Sequence, residues 1–338
     1  MTVHTSSRSA SAAAHTAVGT GVPSLRKVVS STYFAAARSA KVGVMGHTLR
    51  TGGPRRPPPS SLEAMAPAHE PVDLVEVSLP GGRLAAAQLQ ILAELAHDHA
   101  GGALVLTADG LGLRGNRAEL TAQLSGHGFD LPGPHRRRLL ASPLSGRIGG
   151  HVDVRDILAE VHRRLTALAP GRDLVVGIDD GSGDIAALAP EVGAAALPDR
   201  RWALLLDGTD TGVRLPPDDV VETLVAAAQR PPRAGVAATL AALGVEPSAP
   251  PARCPSAPAR PVGWLDQPDG AVTLGGGLPG AVLPARTAEF LAAVDRPLVV
   301  TPWSVVLLCD LDEWAAEQVV RVLAPMGLVF DADSPELR

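Results

Sequence analysis

Apolar residues along this chain spell out one order of elements twice, from about Val72 to Leu131 and from about Val262 to Phe330. In the first stretch, the alternation around Val75 and Val77 predicts a strand over 74–79, Pro80-Gly81-Gly82 a turn, and the spacing over 84–96 a helix. Strands over 103–107 and 111–114 come next, then a helix over 118–124 closing on Gly126-His127-Gly128. In the second stretch, a strand over 271–274 leads through Gly275-Gly276-Gly277 into a helix over 286–294. Strands over 298–301 and 305–308 and a helix over 313–323, closing on Met326-Gly327, complete it. A repeated element order implies a repeated structure.

The middle of the chain is patterned differently. A helix is expected over 154–168, and a hairpin in which strands over 173–178 and 185–188 flank the turn Asp179-Asp180-Gly181-Ser182-Gly183-Asp184. A strand over 202–206 and a helix over 217–228 follow, with Asp218 and Asp219 placed favourably at the helix start. Residues 229–260, rich in Pro, Ala and Arg, read as a linker around a short helix over 236–243. The expected class is α+β: two half domains related by duplication, with an α+β lobe between them. The expected division is 1–66, 67–133, 134–235, a linker over 236–260, and 261–338.

Composition refines this picture. Hydrophobic residues make up 46% of the 338, enough for real cores, and the net charge of −5 offers no general field for nucleic acid. Residues 1–66 contain no Asp or Glu before Glu63, hold both lysines, Lys27 and Lys41, and end in a proline-arginine run, so they are expected to be disordered. Their Ser/Arg-rich, acid-poor character also mimics a transit peptide. Two cysteines, Cys254 and Cys309, exclude a disulfide framework and suit a cytoplasmic protein. No apolar run approaches the ~20 residues of a membrane helix.

Three local motifs invite chemistry. Gly110-Leu111-Gly112-Leu113-Arg114-Gly115 is a literal G-x-G-x-x-G, the fingerprint of a dinucleotide site, but Leu111 and Leu113 alternate like a strand. The carboxylates of 179–184 could bind a hard cation, yet Asp-Gly is also a turn signal, and no metal site is assigned. His135-Arg136-Arg137-Arg138 stands beside an apolar entry, where arginines can grip carboxylates. His97 and His99 have no metal-ligand spacing and read as surface residues.

Several ordered blocks then add up to a resemblance. They are Leu-Pro-Gly-Gly-Arg-Leu at 79–84, Ala-Ser-Pro-Leu-Ser-Gly at 141–146, Asp-Asp-Gly-Ser-Gly-Asp-Ile at 179–185, Gly-Trp-Leu-Asp-Gln at 263–267, Thr-Pro-Trp at 301–303, and Leu-Ala-Pro-Met-Gly-Leu-Val-Phe-Asp-Ala-Asp-Ser-Pro at 323–335. From about 70 onward the chain resembles precorrin-3B synthases, within the nitrite/sulfite reductase superfamily of ferredoxin-like half domains. The resemblance implies an oxidoreductase of aerobic cobalamin synthesis that hydroxylates an anionic precorrin tetrapyrrole with dioxygen. It also implies a [4Fe–4S] cluster, an iron/tetrapyrrole chemistry and an electron donor, with no nucleic-acid or membrane partner.

The departures are equally specific. The family's four cluster cysteines would follow the 331–335 block, and the sequence ends at Arg338, so a truncated or degenerate enzyme is expected, without cluster ligands and inactive on its own. The family's Thr-x-Arg reads Thr107-Ala108-Asp109, with an anion in place of a cation, and Ser304 replaces an arginine after Thr301-Pro302-Trp303. Arg137 matches the arginine of the family's Arg-Asn motif, and Arg172 a basic residue entering the middle domain. Tetrapyrrole-binding candidates are therefore Arg137, Arg172, Thr107 and Thr301, with catalytic residues unknown. The other readings are a non-catalytic tetrapyrrole-binding or partner module and, more distantly, a nucleotide-binding protein.

Overall fold

The computed structural model describes residues 73–133, 135–168, 171–230, 235–252 and 260–337. The extension over 1–66, and Cys254, lie outside them. The first copy begins with β1 (Asp73–Ser78), a 3-10 turn (Pro80–Gly82) and a two-residue strand, β2 (Arg83–Leu84). Helix α1 (Ala86–His99), strands β3 (Ala103–Thr107) and β4 (Gly110–Gly115), and helix α2 (Arg117–Gly126) complete it. The second copy opens with an extra strand, β10 (Gly263–Asp266). It then repeats the order in β11 (Val272–Gly277), a 3-10 turn (Pro279–Ala281), β12 (Val282–Pro284), α6 (Ala285–Ala293), β13 (Leu298–Val300), β14 (Val305–Leu311) and α7 (Glu313–Leu323).

The duplication extends to backbone detail. Gly81 and Gly280 hold φ of 61° and 62° in the two 3-10 turns. Asn116 and Asp312 cap the two last helices from matching positions, accepting the N–H of Glu119 at 3.2 Å and of Ala315 at 2.8 Å. Each copy also completes the other's sheet. Strand β12 pairs antiparallel with β3, Leu283 opposite Leu104, in a sheet of order β1-β4-β3-β12. Strand β2 pairs with β13, Leu84 opposite Leu298, in a sheet of order β10-β11-β14-β13-β2. The four leucines are buried in one apolar core shared by both copies.

This exchange was not expected from sequence. A strand of two or three residues carries no period of its own, and Leu84 reads as the start of the following helix. The three glycines Gly275–Gly277 also lie inside β11 rather than in a turn. A side chain on Gly275 would come within 1.8 Å of the Pro261 carbonyl oxygen, which explains glycine there.

The motif over 110–115 is β4, a strand between two antiparallel neighbours. Its glycines serve close packing: a Cβ on Gly110 would meet the Val77 carbonyl oxygen at 2.0 Å, and one on Gly112 the Leu74 side chain at 2.7 Å. No strand-to-helix phosphate loop exists here, which corrects the nucleotide-binding reading.

The middle lobe is a five-stranded sheet in the order β5 (Arg137–Ala141), β6 (Leu174–Asp179), β7 (Val192–Ala196), β8 (Trp202–Leu206), β9 (Thr209–Leu215), the first three parallel. Helices α3 (Arg155–Thr166), α4 (Val220–Gln229) and α5 (Val236–Leu243) cover it over a separate core. The hairpin expected at 179–184 is not formed. Residues 186–188 are a 3-10 turn, and the next strand runs parallel to β6. The cause is Asp179, whose carboxylate accepts four backbone N–H groups: Gly181 and Gly183 on one oxygen, Ile185 and Ala186 on the other, at 2.8–3.0 Å. The chain circles that carboxylate instead of turning back. The Asp-Gly hairpin of this lobe is Asp207-Gly208, with φ of 48° and 69°, joining β8 to β9.

Candidate functional site

Where the first half domain meets the middle lobe there is a cleft of about 200 Å3. Ser78, Leu79 and Asp109 line it from the half domain, Arg137 from β5, and His162 from α3. The two ends of β1 and β11 are equivalent: Ser78 N–H bonds the Asp130 carbonyl at 3.0 Å, and Gly277 N–H bonds the Val329 carbonyl at 2.8 Å. At the second position the space is filled. The Leu337 side chain comes within 2.6 Å of where a Cβ on Gly277 would sit, and, like Trp303 and Leu144, it packs on the small buried cluster of Val299, Val305 and Leu307. The duplicated fold therefore has one open mouth and one plugged mouth.

The basic strip beside the open mouth is tied into the protein. Arg136 bonds the buried Asp109 at 2.5 Å and also pairs with Glu76, while the Arg138 guanidinium lies 3.8 Å from Asp109. Asp109 is thus the counter-ion of the arginine strip, not a lone anion facing a ligand. Arg137 donates to the carbonyls of Leu165 (2.5 Å) and Leu168 (2.9 Å), closing the C-terminal end of α3. Burial lowers its pKa below the ordinary arginine value.

The sequence candidates do not converge on one point. Arg137 lines the cleft. Thr107 ends β3 two residues before Asp109, and its hydroxyl oxygen is buried without a hydrogen-bond partner. Arg172 pairs with Glu191 at 2.7 Å and is not among the residues lining the cleft. Thr301 is buried in the second copy, where its hydroxyl accepts the N–H groups of Trp303 (3.4 Å) and Val305 (3.3 Å) and shapes the turn into β14. Sequence reasoning missed His162, and read Asp130 only as a loop acid 20 residues beyond the glycine motif; their side chains approach to 3.8 Å. An isolated histidine on an amphipathic helix gives no signal of a partner in a distant loop.

The acidic loop sits at the opposite, C-terminal ends of the parallel strands. Asp179, Asp180 and Asp184 place one carboxylate oxygen each within 4.8 Å of one another. Ser142 joins the two loops there, donating to Asp184 at 2.6 Å and accepting the Asp180 N–H at 3.0 Å. Burial, aided by the charges of Asp179 and Asp180, raises the Asp184 pKa to about 6. Since Asp179 spends both oxygens on four N–H groups, the loop is built to close on itself. For an iron–sulfur cluster the fit fails. Four thiolates are the usual ligands, the chain has two cysteines, and Cys309 is buried within β14 with its thiol pKa raised by burial.

No protein-family model matches the chain, and no curated protein matches it. The duplicated half domains with exchanged strands and the intervening lobe make a nitrite/sulfite reductase-like α+β fold. Among solved structures, that of the Mycobacterium tuberculosis NirA protein is similar, with a TM-score of 0.62 at 18% identity over 76% of this chain. The match covers 57% of NirA, so the chain spans a little over half the length of that protein. A likeness at this identity shows the fold alone. Among the described residues, no helix is long and apolar enough to cross a membrane.

Proposed function

We propose that this chain is a tetrapyrrole-handling protein of the precorrin-3B synthase kind, working in aerobic cobalamin synthesis in the cytoplasm. Residues 67–133 and 261–338 serve as its half domains and 134–235 as its middle domain. The carrying observation is the asymmetry of the two mouths: the first is open and carries Arg137, while the second is plugged by Leu337. A cleft of about 200 Å3 suits the carboxylate-bearing edge of a macrocycle rather than its whole ring. Arginine is the suitable residue there, because its fork matches a carboxylate and stays charged at any working pH. Binding would draw Arg137 from the helix carbonyls it now serves.

This polypeptide by itself is proposed to bind without catalysing, since its two cysteines cannot ligate the family's cluster. The reading as a non-catalytic binding module gains from the same fact and from the internal pairing of Arg136 and Arg172. Fluorescence titration with a uroporphyrin-type polycarboxylate is the test. Saturable one-to-one quenching is expected, weakened roughly tenfold in Arg137→Ala, as expected for the loss of about 1.4 kcal/mol. Absence of saturable quenching, or equal affinity of Arg137→Ala, would refute the assignment.

A further inference from the structure

The arginines of the open mouth are partnered within the chain, but two arginines elsewhere are not. The side chains of Arg83, on β2, and Arg296, in the loop before β13, make no hydrogen bond or ion pair with any described residue, and both residues line one cleft of about 460 Å3. This cleft is larger than the one at the open mouth. It runs along β2, the edge strand of the second half's sheet. Leu84, Pro297 and Leu298 give it an apolar floor.

The remaining polar groups are few. Gln88 uses its side-chain oxygen to accept the Ala85 N–H at 3.0 Å, which leaves its amide nitrogen as a donor at the cleft. Asp295 is the one acidic residue of the lining. Behind Arg83 stand Arg147 and Arg155, each already bonded to its own carboxylate, Asp310 and Asp153. Burial first, and then repulsion from these two arginines, lowers the Arg83 pKa. Asp153 acts on this charge only from a distance, and no described carboxylate forms an ion pair with it.

We propose that this cleft binds a small organic phosphate, its phosphoryl oxygens held by Arg83, Arg296 and the Gln88 amide and its body laid against Leu84, Pro297 and Leu298. A phosphoryl head presents three acceptor oxygens to three donor groups, where a carboxylate presents two. The volume exceeds that of a bare phosphate and leaves room for an organic body. Asp295 disfavours a second anionic group and can accept from a hydroxyl of the ligand. The site is independent of tetrapyrrole binding, which is assigned to the other cleft.

Calorimetric titration of the full chain with inorganic phosphate, phenyl phosphate and benzoate tests this. Phenyl phosphate is expected to bind saturably and more tightly than inorganic phosphate, and benzoate about tenfold more weakly than phenyl phosphate. Arg83→Ala and Arg296→Ala should each weaken phenyl phosphate binding by about tenfold or more. Arg321→Ala, an exposed substitution on α7, should leave it unchanged. Arg83→Lys, which keeps the charge and loses the fork, should fall between, and it guards against an Arg83→Ala chain whose edge strand has loosened. Equal binding of benzoate and phenyl phosphate would overturn the phosphate assignment. Absence of saturable binding, or unchanged affinity in the Arg83→Ala/Arg296→Ala double variant, would overturn the site.

Discussion

Arg147 and Asp310, 163 positions apart, share two parallel hydrogen bonds of 2.7 Å each and fasten the middle lobe to the second half domain. Arg147 lies in the turn after β5 and is buried; Asp310 lies near the end of β14 at a left-handed φ of 61° and also accepts from Gln267 at 3.2 Å. Its unfavourable backbone is held in place by that bidentate grip.

Asp310→Ala should therefore destabilise the chain by about 2–3 kcal/mol in urea unfolding, below the full cost for a buried pair because Asp310 is partly exposed. The Arg147 hydrogen bond holds the Asp310 carboxyl below the usual range. The stability it contributes is present above the unfolded carboxylate pKa, near 3.9, and is lost as pH falls towards the folded value. The variant should show a weaker acid dependence than the parent.

Asp184 acts in the opposite sense. Its folded pKa of about 6 is above the unfolded value, so the folded state binds the proton more tightly. Stability from this group is complete below about pH 4 and is lost as pH rises to about 6. Asp184→Asn keeps an acceptor for Ser142 and removes the charge. It should raise stability at pH 7 by roughly 2–3 kcal/mol and flatten the profile between pH 4 and 6, as read by melting across that range.

Charge matching to an anionic macrocycle would favour Asp109→Arg, but the geometry argues the reverse. Asp109 is buried beside Arg136, with Arg138 near. Asp109→Ala should cost about 3 kcal/mol, and Asp109→Arg more, because it buries a further guanidinium against two others. Denaturant midpoints of both variants decide it; an Asp109→Arg chain as stable as the parent would show that Arg136 is held by Glu76 alone.

Anaerobic reconstitution with iron and sulfide should give a chain with far less than one cluster. Iron analysis near four per chain would direct attention to Cys309 and Cys254.

The duplication was legible because apolar runs over 74–79, 84–96, 103–107, 111–114 and 118–124 recur in the same order over 271–274, 286–294, 298–301, 305–308 and 313–323. The apolar runs 202–206 and 236–243 also announced their elements. Strand β5 was hidden by Arg136-Arg137-Arg138, whose charge overrides an alternating pattern, and β7 by the low hydrophobic contrast of Gly193-Ala194-Ala195-Ala196. At the candidate site, residue types were readable but partners were not. Arg137 bonds carbonyls 28 and 31 positions away, and nothing local to Arg172 points to Glu191. Asp179 carried a turn signal, while the four N–H groups that it collects become visible only once the chain has wrapped around it.

The reciprocal strands β2 and β12 also set a schedule for synthesis. When the ribosome has delivered β1, β3 and β4, the outer edge of β3 has no neighbour until Val282–Pro284 emerges about 170 residues later. At common elongation rates the nascent chain carries that open edge for roughly 10–35 s. Over this interval an unpaired strand is a template for pairing with another chain. The first copy is then most exposed to misassembly or to capture by chaperones, although it is the first to be made.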